Sequence, residues 1–408
     1  MSRVLLAMSG GVDSSVAAWL LREQGHEVIG VFMRHGQSPT ASAAACPSAK
    51  QGCCTAADAD DARRVADMLG VPFYALNFQP EFDRIVDYFV ADYAAGRTPN
   101  PCIVCNTRLK FGRLFDYADQ LGADYVATGH YARIVPIDEE AEGFALCRGL
   151  DSTKDQSYVL FGIERSLLGR LMFPVGDHRK EDIRKIAERL GLRVAAKRDS
   201  QEICFVPDQD HARFVRERRG GLDTSGEIVT TDGTVVGRHD GFERFTIGQR
   251  KGLRVAFGEP RYVVRIEPES RRVVIGTHEE LAREDLTAAG ANWLIEGRWE
   301  MGDGRATTSA ISNATASRGL GTSVPSDRVL SSAVLPTPLS TLPSPPATLP
   351  CSVKIRYRSA AVDATVELLP GDRFRVRFVQ PCYGIAPGQA AVCYQGDRVL
   401  GGGWIEGP

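Results

Sequence analysis

The heptapeptide Ser9-Gly10-Gly11-Val12-Asp13-Ser14-Ser15 follows the apolar residues Val4, Leu5, Leu6, Ala7 and Met8 directly, and Val16-Ala17-Ala18-Trp19-Leu20-Leu21 follows it. A buried strand that turns through two glycines into a helix opens a doubly wound α/β unit, and few other folds accept it. The glycines let backbone N–H groups converge on a polyphosphate, the serines add hydroxyl donors, and Asp13 can hold a magnesium ion. No Gly-Lys-Ser/Thr ends the loop, so it is not the Walker loop whose lysine reaches the outer phosphates. The loop points to ATP used in another way.

The α/β pattern continues to about residue 192. Residues 28–33 and 73–76 read as strands, 57–69 and 82–95 as helices, and 125–127 as a short buried strand ending at Thr128-Gly129-His130. Such alternation predicts a parallel sheet with ligands at the carboxyl ends of its strands, where both the Ser9 loop and Gly129-His130 fall. Past Phe214 come short β-rich runs at 226–229, 233–236 and 262–266, the last opposite 271–275. From residue 286 onward a further β unit ends in runs at 351–357, 362–369, 374–378 and 390–394, which suggests a small closed barrel. The expected organisation is an α/β, ATP-binding catalytic domain at 1–212, a β-rich central domain at 213–283 and a C-terminal β-barrel domain at 284–408. Residues 302–350, dominated by Ser, Thr, Ala, Pro and Gly, cannot bury enough surface to offset their ordering entropy and read as a disordered insertion. Residues 35–55 read as a loop above the nucleotide site.

The chain has 408 residues, 25% of them charged, and a net charge of −2, so any nucleic-acid contact must come from local patches. Arg244, Arg250, Lys251, Arg254, Arg261 and Arg265 form one candidate phosphate-binding face. No stretch is long and apolar enough to span a membrane, and Met1-Ser2-Arg3 leads straight into the first strand, which predicts a cytoplasmic location. In that compartment ten cysteines are thiols rather than a disulfide framework. Cys102 and Cys105 lie on the proline-stiffened loop Thr98-Pro99-Asn100-Pro101-Cys102-Ile103-Val104-Cys105-Asn106, with Lys110-Phe111 just beyond. Cys204 lies past the last helix of the α/β region, in Arg198-Asp199-Ser200-Gln201-Glu202-Ile203-Cys204-Phe205. Polar, turn-rich surroundings favour reactive thiols there, whereas Cys147, Cys351, Cys382 and Cys393 have strand-like neighbours and read as small core residues. Two cysteine loops beside an ATP loop suggest sulfur chemistry.

The Ser9 loop resembles the pyrophosphatase-type SGGxDS loop of enzymes that adenylate an oxygen and release pyrophosphate. Other runs follow in order: residues 98–111, Ala127-Thr128-Gly129-His130-Tyr131, Lys154-Asp155-Gln156-Ser157-Tyr158, residues 199–205, residues 245–253, Arg356-Tyr357-Arg358 and Pro387-Gly388-Gln389. On these residues the chain resembles the tRNA-specific 2-thiouridylases, which replace the 2-oxygen of the wobble uridine with sulfur, over nearly all of its length except 302–350. The resemblance implies ATP and Mg²⁺ as cofactors, with Ala7, Met8, Ser9, Gly10, Gly11, Val12, Asp13, Ser14, Met33 and Gly129 at the ATP site. It implies adenylation of the uracil oxygen at position 34 and a persulfide on Cys204, supplied by a cysteine desulfurase or a sulfur-relay protein. Cys105 would be the partner thiol, with Lys110, Arg198 or helix ends favouring the thiolates. Asn100, Pro101 and Cys102 would line the pocket for a flipped base, His130, Lys154, Asp155 and Gln156 would meet the anticodon loop, and Arg356, Tyr357 and Gln389 would also face the tRNA. The implied substrates are the tRNAs for Lys, Glu and Gln, and the chain is expected to be a monomer.

One position departs from the family: Asp commonly follows Asn-Pro, and here Cys102 stands there. Any role of that carboxylate cannot be carried over. Cys102, Cys105 and Cys204 could instead converge as three thiolate ligands of an iron-sulfur cluster with one open iron, and the C-x-x-C spacing also suits zinc. The persulfide relay ranks first and the cluster second. Amidating ligases with the same loop need no cysteine pair, and a tRNA-binding protein without catalysis would need neither the loop nor the thiols.

Overall fold

The computed structural model describes residues 1–34, 55–137, 143–197, 203–206, 210–295 and 348–407. The first sheet contains β1 (Arg3–Ala7), β2 (Glu27–Arg34), β3 (Phe73–Asn77) and β4 (Tyr125–Thr128). After a hairpin of β5 (Ala132–Pro136) and β6 (Phe144–Arg148), the chain returns to it with β7 (Leu171–Met172). The order is β3-β2-β1-β4-β7 and the pairings are all parallel. Side chains of β1 alternate between two cores, as strand geometry requires: Leu5 and Ala7 enter one, Val4 and Leu6 the other. The sheet order reverses between β1 and β4, and ligands of open α/β sheets bind at such a switch point. Both the Ser9 loop and Thr128-Gly129-His130 leave the sheet there.

Helices cover both faces. In chain order they are α1 (Val12–Glu23), α2 (Ala56–Leu69), α3 (Gln79–Ala94), α4 (Pro101–Val104), α5 (Leu114–Gln120), α6 (Lys180–Arg189) and α7 (His211–Arg218). Thr55 caps α2 through a reciprocal box with Asp58. Between α4 and α5 the chain winds as a π-helix over Cys105–Arg113, a wide coil that is rare and concentrates at functional sites.

A second sheet, β10-β11-β8-β9, contains β8 (Gly226–Thr230), β9 (Val235–His239), β10 (Tyr262–Glu267) and β11 (Arg272–Gly276). The strand expected at 233–236 starts later because residues 230–234 make the hairpin turn, with Gly233 at φ +88°. The last unit contains β12 (Ala282–Trp293), β13 (Thr348–Lys354), β14 (Val362–Leu369), β15 (Arg373–Tyr383), β16 (Ala390–Gln395) and β17 (Arg398–Ile405). Pairing of β12 with β17 closes these strands into a six-strand barrel, as the strand pattern predicts.

Three expectations change. Residues 348–350 belong to β13 and not to the insertion; Pro350 is carried within a ladder that pairs with β14. The strand expected at 351–357 stops at Lys354, because Arg356 and Ser359 close a turn there. The β5–β6 hairpin, read as part of the α/β pattern, instead extends the barrel sheet through β6 and β17. Residues 302–347 and 35–54, with Cys46, Cys53 and Cys54, lie outside the described residues.

Candidate active site

At the ATP loop, Gly11 starts α1 with no side-chain cap, leaving first-turn N–H groups facing the loop, the arrangement that binds anions. Ser14 Oγ accepts from Ser9 N–H at 3.1 Å and lies 3.3 Å from Ser9 Oγ, so the two serines brace the turn. Gly10 is left-handed at φ +72°, and a Cβ there would stand 2.1 Å from the Asp58 carbonyl oxygen. A Cβ on Gly129 would come within 2.8 Å of Ser14 N. Both positions require glycine. Ala7, Met8 and Val12 are buried, and Met33 packs half-buried against the core.

Two lysines frame this loop, and neither stood out in the sequence. Lys197 donates to the Gly10 carbonyl at 2.9 Å and to Asp58 and Asp61 at 2.6 and 2.8 Å. Although burial opposes its charge, the two carboxylates raise its pKa. Lys180 donates to both Asp13 carboxylate oxygens at 2.7 Å, and Tyr131 Oη donates to Asp13 Oδ1 at 2.7 Å. Asp13 therefore faces an ammonium and a phenol rather than open space. Its side chain is still 28% exposed, and it is the carboxylate that would meet the expected magnesium ion.

The thiol loop is assembled by the barrel. Gln389 Nε2 donates to the carbonyls of Thr98 and Pro99 at 3.0 and 3.2 Å, and Thr98 N–H donates to Pro387 O at 2.8 Å. Asn100 Oδ1 accepts from Ile103 N–H and caps α4; Pro101 is buried, while Cys102 is exposed. Cys105, the first π-helical residue, is half-buried and packs against the same core as Cys204 and Phe205. Phe205 is wedged among Phe82, Phe89 and Phe214 at ring distances of 5.6, 5.0 and 5.5 Å, which anchors Cys204 beside it. Arg198 and residues 199–202 lie outside the described residues. Lys110 donates to Asn106 Oδ1 at 2.9 Å, and Asn106 Nδ2 donates to Val159 O at 3.0 Å.

Among the described residues no three His, Cys, Asp or Glu side chains stand together to hold a metal ion. The convergence of Cys102, Cys105 and Cys204 as cluster or zinc ligands thus gains no support among the described residues, where Cys102 is exposed and Cys105 and Cys204 are half-buried. Cys382 and Cys393 are buried and Cys147 and Cys351 half-buried, in keeping with their strand surroundings.

Of the residues expected at tRNA, several are interior. His130 is buried between Phe111 and Phe173 with Nδ1 2.6 Å from Thr128 Oγ1. Burial, then the Lys110 charge, hold its pKa well below the ordinary range, so the ring is neutral. Asp155 is buried and accepts from Gly149 N–H, Ser157 N–H and Ser157 Oγ–H. Gln156 Oε1 accepts from Tyr131 N–H. Arg356 donates to Ile247 O and Gly384 O at 2.5 and 2.8 Å, tying the 245–253 loop to the barrel. Lys154 and Tyr357 are partly exposed. The Tyr357 hydroxyl is pushed up by burial and by Asp155, and the Cys102 thiol adds to that, so the barrel places an aromatic ring beside the thiol loop. Lys354, buried and 5.9 Å from the rings of both Tyr158 and Tyr357, brings a cation to the same place.

In the candidate basic face, Arg254 pairs with Asp240, Arg261 with Glu259 and Arg265 with Glu267. Arg250 and Lys251 are exposed and absent from the ion pairs of the described residues. No helix of the described residues is long and apolar enough to cross a membrane.

The sequence agrees with three family models. One described as a tRNA methyl transferase HUP domain matches residues 2–208, a tRNA methyl transferase PRC-barrel domain matches 212–277, and an aminomethyltransferase beta-barrel domain matches 337–405. The chain is 49% identical to the tRNA-specific 2-thiouridylase MnmA of Rhodopirellula baltica, over 99% of this chain and 96% of that one. It is 45% identical to the protein of the same name from Geobacter metallireducens, over 99% and 96%. A solved 4-thiouridine synthetase–RNA complex with bound ATP is 16% identical, with a TM-score of 0.34 over 53% of this chain and 50% of that one.

Proposed function

Because the chain belongs to the tRNA-specific 2-thiouridylase family, we propose that it thiolates the wobble uridine, position 34, of tRNAs for Lys, Glu and Gln through an adenylated base and a Cys204 persulfide. It is a tRNA-uridine 2-sulfurtransferase. The observation that carries the mechanism is that Cys105 and Cys204 pack against one core in the domain that holds the ATP loop.

The uracil 2-oxygen attacks the α-phosphate of ATP, and pyrophosphate leaves toward the Ser9 loop and the α1 N-terminus. A poor leaving group has become AMP. The terminal sulfur of the Cys204 persulfide, loaded by a desulfurase or relay protein, then attacks C2, and the C2–O bond breaks to release AMP. Cys105 thiolate attacks Sγ of Cys204, leaving the bonding electrons on the uridine sulfur and forming a Cys105–Cys204 disulfide. An external thiol reduces that disulfide for the next turnover. Lys154, Gln156, Arg356 and Tyr357 are the partly exposed contacts for tRNA, Asn100, Pro101 and Cys102 frame the base, and buried His130, Asp155 and Gln389 hold those contacts in place.

The test is mass spectrometry of the wobble uridine after incubation of unmodified tRNA, ATP and a persulfide donor with wild type, Cys105→Ala and Cys204→Ala. Wild type yields 2-thiouridine with AMP and pyrophosphate, and both variants yield none on multiple turnover. Full product from Cys204→Ala would end the relay.

A further inference from the structure

The ATP loop carries no lysine of its own, yet an ammonium reaches it from α6. Lys180 is the first residue of that helix, a position where the macrodipole disfavours a cation, and its side chain is only 9% exposed. A buried cation at an unfavourable helix position breaks two local rules at once, which happens where a site requires the group. Its charge is held against Asp13, inside the loop, with Nζ 2.7 Å from each carboxylate oxygen. Tyr131 holds the same carboxylate from its own strand end, so the ammonium is fixed at the loop by a carboxylate that is itself fixed.

The local charge then runs as follows. The Asp13 carboxylate is offset by the Lys180 ammonium, and the uncapped N-terminus of α1 adds further positive potential. Lys197 offsets Asp58 and Asp61 in part, so an anion entering the loop meets the Lys180 ammonium and the α1 N-terminus as its local positive groups. We propose that Lys180 is the cation that binds the departing pyrophosphate, supplied in trans by α6 in the place where a Walker loop carries its own lysine. This rests on the adenylation reading given above. During adenylation, charge accumulates on the bridging oxygen between the α- and β-phosphates as that P–O bond breaks. A pre-positioned ammonium in a partly dry site stabilises that charge without reorganisation. Lys180 transfers no proton: pyrophosphate leaves as an anion and the lysine stays an ammonium throughout.

Pyrophosphate and AMP, titrated separately by calorimetry into the full chain without tRNA or sulfur donor, test this independently of thiolation. Lys180→Met is expected to weaken pyrophosphate binding by about tenfold or more while AMP binding stays within about twofold. Lys180→Arg, which keeps the charge, is expected to restore most of the pyrophosphate affinity. Equal loss of both ligands in Lys180→Met, or no rescue by arginine, would show a structural role and overturn the proposal, as would pyrophosphate binding unchanged in Lys180→Met or undetectable in wild type. A chain that passes this test but forms no 2-thiouridine would refute the thiolation reading and leave the role of Lys180 standing.

Discussion

The side-chain amide of Gln389 donates to the carbonyl oxygen of Thr98 at 3.0 Å, joining the barrel to the thiol loop across 291 residues of chain. The loop that carries Cys102 and Cys105 is thus held from outside its own domain. Replacing Gln389 by Ala leaves the Thr98 and Pro99 carbonyls without their donor, at a cost of about 1–3 kcal/mol. Urea unfolding is expected to register that loss in the free protein. An unchanged midpoint combined with weaker tRNA binding would instead make Gln389 a direct tRNA contact.

Gly129→Ala drives a Cβ to 2.8 Å from Ser14 N and 2.9 Å from the Asp13 carbonyl carbon, both of them backbone atoms that cannot rotate away. The start of α1 must shift. ATP affinity measured by calorimetry is expected to fall by about tenfold or more, and retained affinity would show that the loop tolerates the displacement.

His130, His211 and His239 all have pKa values lowered chiefly by burial, so the unfolded chain binds protons that the folded one refuses. Their linkage contribution is complete above the unfolded imidazole range near 6.5 and declines as pH falls through and below it. Stability measured by urea titration should therefore drop between about pH 7 and pH 5. In His130→Gln the slope should be shallower, and an identical slope would place the titration elsewhere.

Arg250 and Lys251 are the exposed cations of the central face outside its ion pairs. Reversing both to Glu is expected to lower tRNA affinity and to reduce the steepness of its salt dependence, as loss of phosphate contacts does. Normal affinity at every salt concentration would remove this face from the tRNA surface.

Local pattern made the ATP loop and the parallel strands legible, because β1, β2 and β4 are short apolar runs and their edges carry turn residues. Sheet membership was not legible for β5 and β6, whose pairing with β17 is long-range. β17 was missed for a different reason: Gly401, Gly402 and Gly403 erase its strand signal. Those glycines answer to close backbone approach, since a Cβ on Gly402 would lie 2.6 Å from Ala391 O. Lys180 and Lys197 read in sequence as ordinary helix and linker charges. A lysine opening a helix before two acidic residues was the one available signal for Lys180. His130, Asp155 and Gln389, expected at tRNA, stand behind the surface because their hydrogen-bonding capacity is used to shape loops.

The pairing of β6 with β17 and the clamp of Gln389 on Thr98 also order events during synthesis. The ribosome extrudes the loop that carries Cys105 well before it makes Gln389, the residue that clamps that loop. Until the final stretch emerges, that loop lacks its clamp. The loop acquires its finished geometry only once the barrel has been made.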